Sequence, residues 1–212
     1  MEMKLSADIG TLISYGIALG AFCFGLFLSI KQAWKKRKAK KENKNDPLLM
    51  LERDLLIQDV LTELRVNLNA DRVYVSKFHN GGEYFDGIKI KKISRTHESC
   101  SRGVSHENVS FQNVPLSMIP DVMMILHQSV QAGKPVVRCS NSLSSGFLKN
   151  HLDSLNIKLF VKHRISVGMR MIGYLGVQYE DDNKELSEDD LNLIIDACGR
   201  VENIMTTEGS YF

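Results

Sequence analysis

Apolar positions follow three patterns along the chain. The first is an unbroken run. Residues 9–30, IGTLISYGIALGAFCFGLFLSI, carry no charge. At about 1.5 Å of rise per residue such a helix measures roughly 33 Å, enough for a bilayer core. A helix of this length in a water-soluble core would show a polar face, and this one shows none. The flank before it has only Lys4 against Glu2 and Asp8, and no A-x-A site follows. It therefore reads as an uncleaved anchor rather than a cleaved signal. The run predicts a transmembrane helix over 9–30 behind a tail at 1–8.

The second pattern is helical. Asp46 and Pro47 read as an N-cap and first helical position. Leu56, Val60, Leu64 and Leu68 then form one stripe at i, i+4 spacing. A helix is predicted over about 117–132, with Gly133 as its C′ residue and Pro135 beyond. A short helix is predicted over 147–155. A last one starts at Ser187, with Asp190 as capping-box partner and Leu191, Ile194, Ile195 and Cys198 facing inward. The third pattern is alternation. Val73 and Val75, with Phe78 beyond, mark a strand over 72–78. His79, Asn80, Gly81 and Gly82 then read as a turn, since Asn-Gly supplies positive φ. They could alternatively line a pocket or nest for an anion. Further strands are predicted over 88–99, 136–139, 158–166 and 171–179, with a tight turn at Val167-Gly168 and a long loop over 100–116. The order gives an α+β domain over 47–206 with a mainly antiparallel sheet flanked by helices, and a tail at 207–212.

Charge divides the chain the same way. Residues 1–46 hold nine basic and four acidic groups, and residues 47–212 hold eighteen and twenty-one. The overall net of +2 is thus a cancellation. Seven of the basic groups, Lys31, Lys35, Lys36, Arg37, Lys38, Lys40 and Lys41, crowd behind the apolar run with Trp34 among them. Residues 31–46 read as a basic juxtamembrane linker. Trp34 suits the headgroup level, and the cations favour anionic lipid and a cytoplasmic position. A nucleic-acid role for them is not favoured, because the rest of the chain is acidic. Within the run, Gly10, Ser14, Ala18, Ala21 and Gly25 share one helix face, and Gly16 and Gly20 form a G-x-x-x-G. Such small faces let helices pack in lipid, so a homo-oligomer is expected.

Composition is that of an ordinary globular protein, which excludes collagen-like, disulfide-dense and disordered chains. Catalytic patterns are absent: there is no H-E-x-x-H, P-loop, G-x-S-x-G or G-x-G-x-x-G. His97-Glu98-Ser99-Cys100 groups an imidazole, a carboxylate and a thiol, but a zinc or nucleophile reading needs partners from elsewhere, and a strand end entering a loop is the simpler reading. Cys100, Cys139 and Cys198 show no C-x-x-C spacing. No enzyme activity, metal or cofactor is expected.

Two resemblances rest on particular residues. Ile172-Gly173-Tyr174-Leu175-Gly176-Val177, followed by Leu186-Ser187-Glu188-Asp189-Asp190-Leu191 and a long helix, resembles the second half of a GAF domain. The opening helix and strand fit its first half, and the resemblance spans roughly 48–205. Where that family commonly has a proline in the penultimate strand, this chain has Lys162-His163. The resemblance implies a small-molecule sensor or a dimerisation module. The layout also resembles single-span phage holins of the T-even kind, with Cys198 where that family has a helix cysteine. Its partner cysteine is missing from 159–165, so no disulfide carries over.

The leading expectation is therefore a holin-like protein. It would oligomerise in the inner membrane of a bacterial host to permit timed lysis, with the soluble domain binding a regulatory partner. The alternative is a membrane-anchored GAF-type sensor or adaptor for an unknown small ligand. The basic cluster would keep its domain cytoplasmic, where the holin resemblance implies a periplasmic one.

Overall fold

The computed structural model describes residues 19, 22, 24–35, 46–84, 87–181 and 183–206. The chain divides into two units, Met1–Met50 and Leu51–Phe212. In the first, residues 24–35 are helical and exposed, Trp34, Lys31, Lys35 and Gly25 included. Among the described residues no helix is long and apolar enough to cross a membrane. That corrects the expected transmembrane helix. Gly10, Ser14, Gly16, Ala18, Gly20, Ala21, Lys36, Arg37, Lys38, Lys40 and Lys41 lie outside the described residues.

Helix α1 spans Pro47–Leu68. Its cap is the one predicted: Leu48 N–H donates to Asp46 Oδ1 at 2.9 Å. Three further helices follow, α2 (Pro120–Ala132), α3 (Phe147–Ser154) and α4 (Glu188–Thr206). Two of their ends are written in the sequence. Gly133 closes α2 in the left-handed region. At α4, Ser187 N–H donates to Asp190 Oδ2 (2.8 Å) while Asp190 N–H donates to Ser187 Oγ (3.1 Å), the reciprocal box. α2 starts at Pro120, later than expected, because a 3-10 turn occupies Leu116–Met118.

Six strands form one antiparallel sheet: β1 (Arg72–Glu83), β2 (Lys89–Cys100), β3 (Val114–Pro115), β4 (Val136–Cys139), β5 (Leu159–Val167) and β6 (Arg170–Tyr179). Their spatial order is β3-β2-β1-β6-β5-β4. β3 lies inside the stretch expected to be loop. The expected turn at His79–Gly82 is corrected too, because β1 runs through it and pairs Glu83 with Lys89. Beyond Glu83, Tyr84 N–H donates to Ile88 O. Asn80-Gly81-Gly82 instead makes an irregularity in the ladder, with Gly82 at φ 109. The same positive φ that serves a turn also serves a bulge.

Side chains alternate across the pleat, and the two faces have different chemistry. One face presents Val73, Val75, Val161, Leu175 and Val177 to α1 and α4. There it meets Val60, Leu64 and Leu68, joined by Ile57 and Leu61, and from α4 Ile194, Ala197, Cys198 and Val201. Ile195 was expected inward but is 37% exposed. It sits one position, about 100° of helix turn, past Ile194.

The other face lies under α2 and α3 and packs Val122, Ile125, Leu126, Leu148 and Leu152 against Ile93, Phe160, Tyr74 and Tyr174. Gly176 makes this face possible. It lies opposite Tyr74 in the ladder, and a Cβ there would fall 2.3 Å from the Tyr74 ring. Gly176→Ala should therefore cost about 1–3 kcal/mol of stability by overpacking. Urea denaturation checks this; an unchanged midpoint would mean that Tyr74 swings away freely.

Candidate functional site

The face under α2 and α3 carries the candidate site. Arg72, Tyr74 and Ser76 occupy alternate positions of β1 and are all buried. The ladder sets Arg95 opposite Ser76 and Ser76 opposite Tyr174, and it aligns Tyr74, Gly176 and Lys162 in the next row. Residues far apart in sequence thus become one polar patch in a hydrophobic layer.

Glu98 is the hub of its charges. Arg95 Nη1 donates to Glu98 Oε1 at 2.8 Å, and Arg72 Nε stands 3.0 Å from the same oxygen. The other oxygen, Oε2, accepts from the backbone N–H of Glu107 (2.7 Å) and Asn108 (3.0 Å). Arg72 also donates to Gln178 Oε1 and to Ser105 O, at 2.8 and 2.7 Å. So β2, β1, β6 and the loop before β3 are tied through one buried carboxylate. The network continues to α3: Glu107 Oε2 lies 3.3 Å from Arg95 Nη1 and 2.9 Å from His151 Nε2. Burial would lift the Glu107 pKa. The contact with His151, then the charges of His151, Arg95 and Arg72, outweigh burial and hold it below the usual carboxylate range. The His151 ring lies parallel to Phe147 at 6.1 Å and tilts against Phe111 at 5.2 Å.

A second cluster adjoins the first. The Arg95 guanidinium lies 3.8 Å from the centre of the Tyr74 ring. On the far end of that ring, Lys162 Nζ donates to Tyr74 Oη at 2.8 Å. Nζ also lies 4.4 Å from the Tyr174 ring centre and 5.5 Å from that of Phe160. Lys162 is 2% exposed, and it pairs with no carboxylate among the described residues. Burial, helped by the charge of Arg95, pushes its pKa down, and Tyr174 opposes the shift. Burial pushes both phenols up.

Glu98, Cys100 and His106 each bring one metal-ligand atom to within 4.8 Å of the others. The chemistry of this trio does not suit a divalent cation. Glu98 Oε1 already accepts from Arg95 and Oε2 from two backbone N–H groups, and two guanidinium charges crowd the carboxylate. Cys100 is pushed up by burial and by Glu98, away from the thiolate a metal needs.

The predicted site residues lie elsewhere. His79 Nε2 meets Ser94 Oγ at 2.8 Å, and Asn80 Oδ1 accepts from Lys91 Nζ at 2.7 Å. A Cβ on Gly81 would meet the Lys92 side chain at 2.5 Å, so these residues serve the β1–β2 ribbon. Pattern reading passed over Arg72, Tyr74, Arg95, Lys162 and Tyr174. One signal was available: polar residues interleaved with the valines of RVYVS, and a lysine where the GAF pattern commonly has proline.

No protein-family model matches the chain, and no curated protein matches it. Solved structures do. The fold is similar to the blue-light absorbing form of the Thermosynechococcus elongatus PixJ GAF domain, at 12% identity and a TM-score of 0.56, covering 76% of this chain and 91% of that one. It is also similar to a phycocyanobilin-bound GAF domain from a cyanobacterial phytochrome, at 16% identity and a TM-score of 0.52, covering 80% and 96%. A third likeness is the GAF domain region of a putative membrane protein from Geobacter sulfurreducens PCA, at 14% identity, TM-score 0.51, covering 74% and 95%. The fold of the second unit is thus GAF-like. This corrects the lysis expectation. The fold matched is that of GAF domains, and the spanning helix a holin requires is not found among the described residues.

The buried lysine yields a prediction with a definite sign. Its folded pKa lies below its unfolded one, so unfolding takes up a proton between the two values and stability rises with pH there. Lys162→Met should raise the melting temperature at pH 7 by a few degrees, because an unpaired buried charge is replaced by an apolar chain of similar length. That advantage should shrink from pH 7 to pH 9.5. Calorimetric melts of both proteins across this range test it; a Met variant less stable than wild type at pH 7 would show the ammonium to be well solvated.

Proposed function

We propose that the chain is a GAF-type sensor or adaptor that binds a small molecule on the sheet face beneath α2 and α3. Its bound state would then be passed to a partner protein. One observation carries the reading. The face toward α1 and α4 is mostly aliphatic along the central strands, with Tyr179 as its aromatic member and with His97 and Ser99 of β2 bonded to α1, whereas the opposite face spends its buried positions on Arg72, Arg95, Glu98, Lys162, Tyr74 and Tyr174. Stability alone favours aliphatic residues on both faces. Buried, convergent polar groups of this kind are the ordinary mark of a ligand site.

The fold likeness to a phycocyanobilin-bound GAF domain supports small-molecule binding in general. A bilin itself does not suit these residues. It is a planar four-ring chromophore, and here the rings of Tyr74, Tyr174 and Phe160 are each 1% exposed or less, with Arg95 and Lys162 set directly against Tyr74. A cleft of about 210 Å³ lies outside this layer, lined by Asp121, Gln128, Arg138 and Ser142 among others. It too is smaller than the usual drug-sized pocket.

The test is a thermal-shift screen of the full chain against nucleotides, cyclic nucleotides, sugars, amino acids and dicarboxylates. A ligand at a hundred times its Kd stabilises by about 2.7 kcal/mol, which is roughly 5–10 °C for a domain of this size. At least one class should give such a shift, and Tyr174→Leu should abolish it. A flat response across every class would overturn the reading.

A further inference from the structure

The charges of the buried face do not balance. Arg72, Arg95 and Lys162 are three cations, each at most 2% exposed, and Glu98 and Glu107 are two carboxylates that meet the arginines alone. Both carboxylates are committed to the arginines, to His151 or to backbone N–H groups. Lys162 is left with neutral phenols, donating to Tyr74 Oη and facing Tyr174, and with the faces of aromatic rings. Ring faces attract a cation but supply no countercharge and no further acceptor. Beside it, Arg95 Nε is buried without a hydrogen-bond partner. Buried donors in native proteins are nearly always satisfied, and those that are not call for a specific explanation such as an ion or water.

We propose that Lys162 and Arg95 hold the carboxylate or phosphate group of a small anionic ligand, buried against Tyr74 and Tyr174 beneath α2. This rests on the small-molecule reading above and names the ligand's chemical class. An oxyanion supplies what the cluster lacks: a negative charge for the third cation and several acceptor lone pairs. The aromatic rings already exclude water, so charge-assisted hydrogen bonds made there are strong. The rings also stand in direct contact with both cations, which favours a compact anion over an extended one. Ser76 Oγ, fully buried on the same face opposite Arg95 in the ladder, offers a further donor.

Binding should be coupled to a proton. The titratable or charged groups facing Lys162 Nζ are Tyr74 from β1, Tyr174 from β6 and Arg95 from β2, and α2 contributes the apolar Val122, Ile125 and Leu126. Burial and the charge of Arg95 both lower the Lys162 pKa and an arriving anion raises it, so the bound state favours the ammonium more strongly than the free one and draws its proton from solvent. Affinity then weakens as pH rises.

The experiment is isothermal titration calorimetry on the full chain. The probes are inorganic phosphate, succinate and neutral succinamide, at ionic strength held constant with sodium chloride. Phosphate or succinate should bind with one site per chain, and the one that binds identifies the headgroup. Lys162→Met should weaken that binding at least tenfold while remaining folded, and Tyr74→Phe should weaken it less. Titrations in buffers of different ionisation enthalpy should show proton uptake in wild type and none in the Met variant. Equal affinity of wild type and the Met variant for the anion would overturn the proposal. Binding of succinamide alone would overturn the anionic class and leave the small-molecule reading standing. If neither anion binds and the wider screen is also flat, both fall.

Discussion

The second unit is organised around the Tyr74 ring. It crosses Gly176, the one position opposite it with no side chain, and meets a guanidinium on its face and an ammonium at its hydroxyl. Those three contacts come from β6, β2 and β5. One ring therefore sets where Arg95 and Lys162 stand relative to each other, and the Arg95 position in turn sets Glu98. From Glu98 the constraint reaches the loop before β3, through two backbone N–H groups, and α3, through Glu107 and His151. A change at Tyr74 or at any atom it touches is therefore mechanically connected to the outer layer of the domain.

Such a core is expensive in stability. Burying an ion costs several kcal/mol even after relaxation, and a pair recovers this only with good geometry and full hydrogen bonding. Glu98 meets that condition, with three hydrogen-bond donors and a second guanidinium against its two oxygens. Lys162 does not. The aliphatic layer on the other side, from Val73 and Val177 out to Leu61 and Ile194, supplies the stability that lets the polar layer be retained. The division of labour is simple: one face of the sheet folds the domain, and the other holds its chemistry.

Much of the architecture was legible along the chain. Asp46 and Pro47, Gly133, and Ser187 with Asp190 act within a few residues of one another, so their roles survive in any tertiary context. The valines of β1 and the leucines of α1 follow periods that local geometry imposes. The misreadings had physical causes of the same kind. Asn80-Gly81-Gly82 permits a bulge as readily as a turn, and only the pairing of Glu83 with Lys89 chooses between them. The uncharged run over 9–30 has the composition of a span, but among the described residues no helix is long and apolar enough to cross a membrane.

The site was not legible, because its members are scattered at positions 72, 74, 95, 98, 162 and 174. Each looks like an ordinary polar residue in a strand. What the sequence determined by itself was therefore the local structure: where helices start and stop, which strand positions are aliphatic, and that the domain is α+β with an antiparallel sheet. These follow from φ/ψ preference, capping and period, which act over a few residues. What only the tertiary structure decided was which face of the sheet is chemical, and that three cations share it with two carboxylates. Register across four strands makes that decision, and register is set by the packing of the whole sheet against its helices.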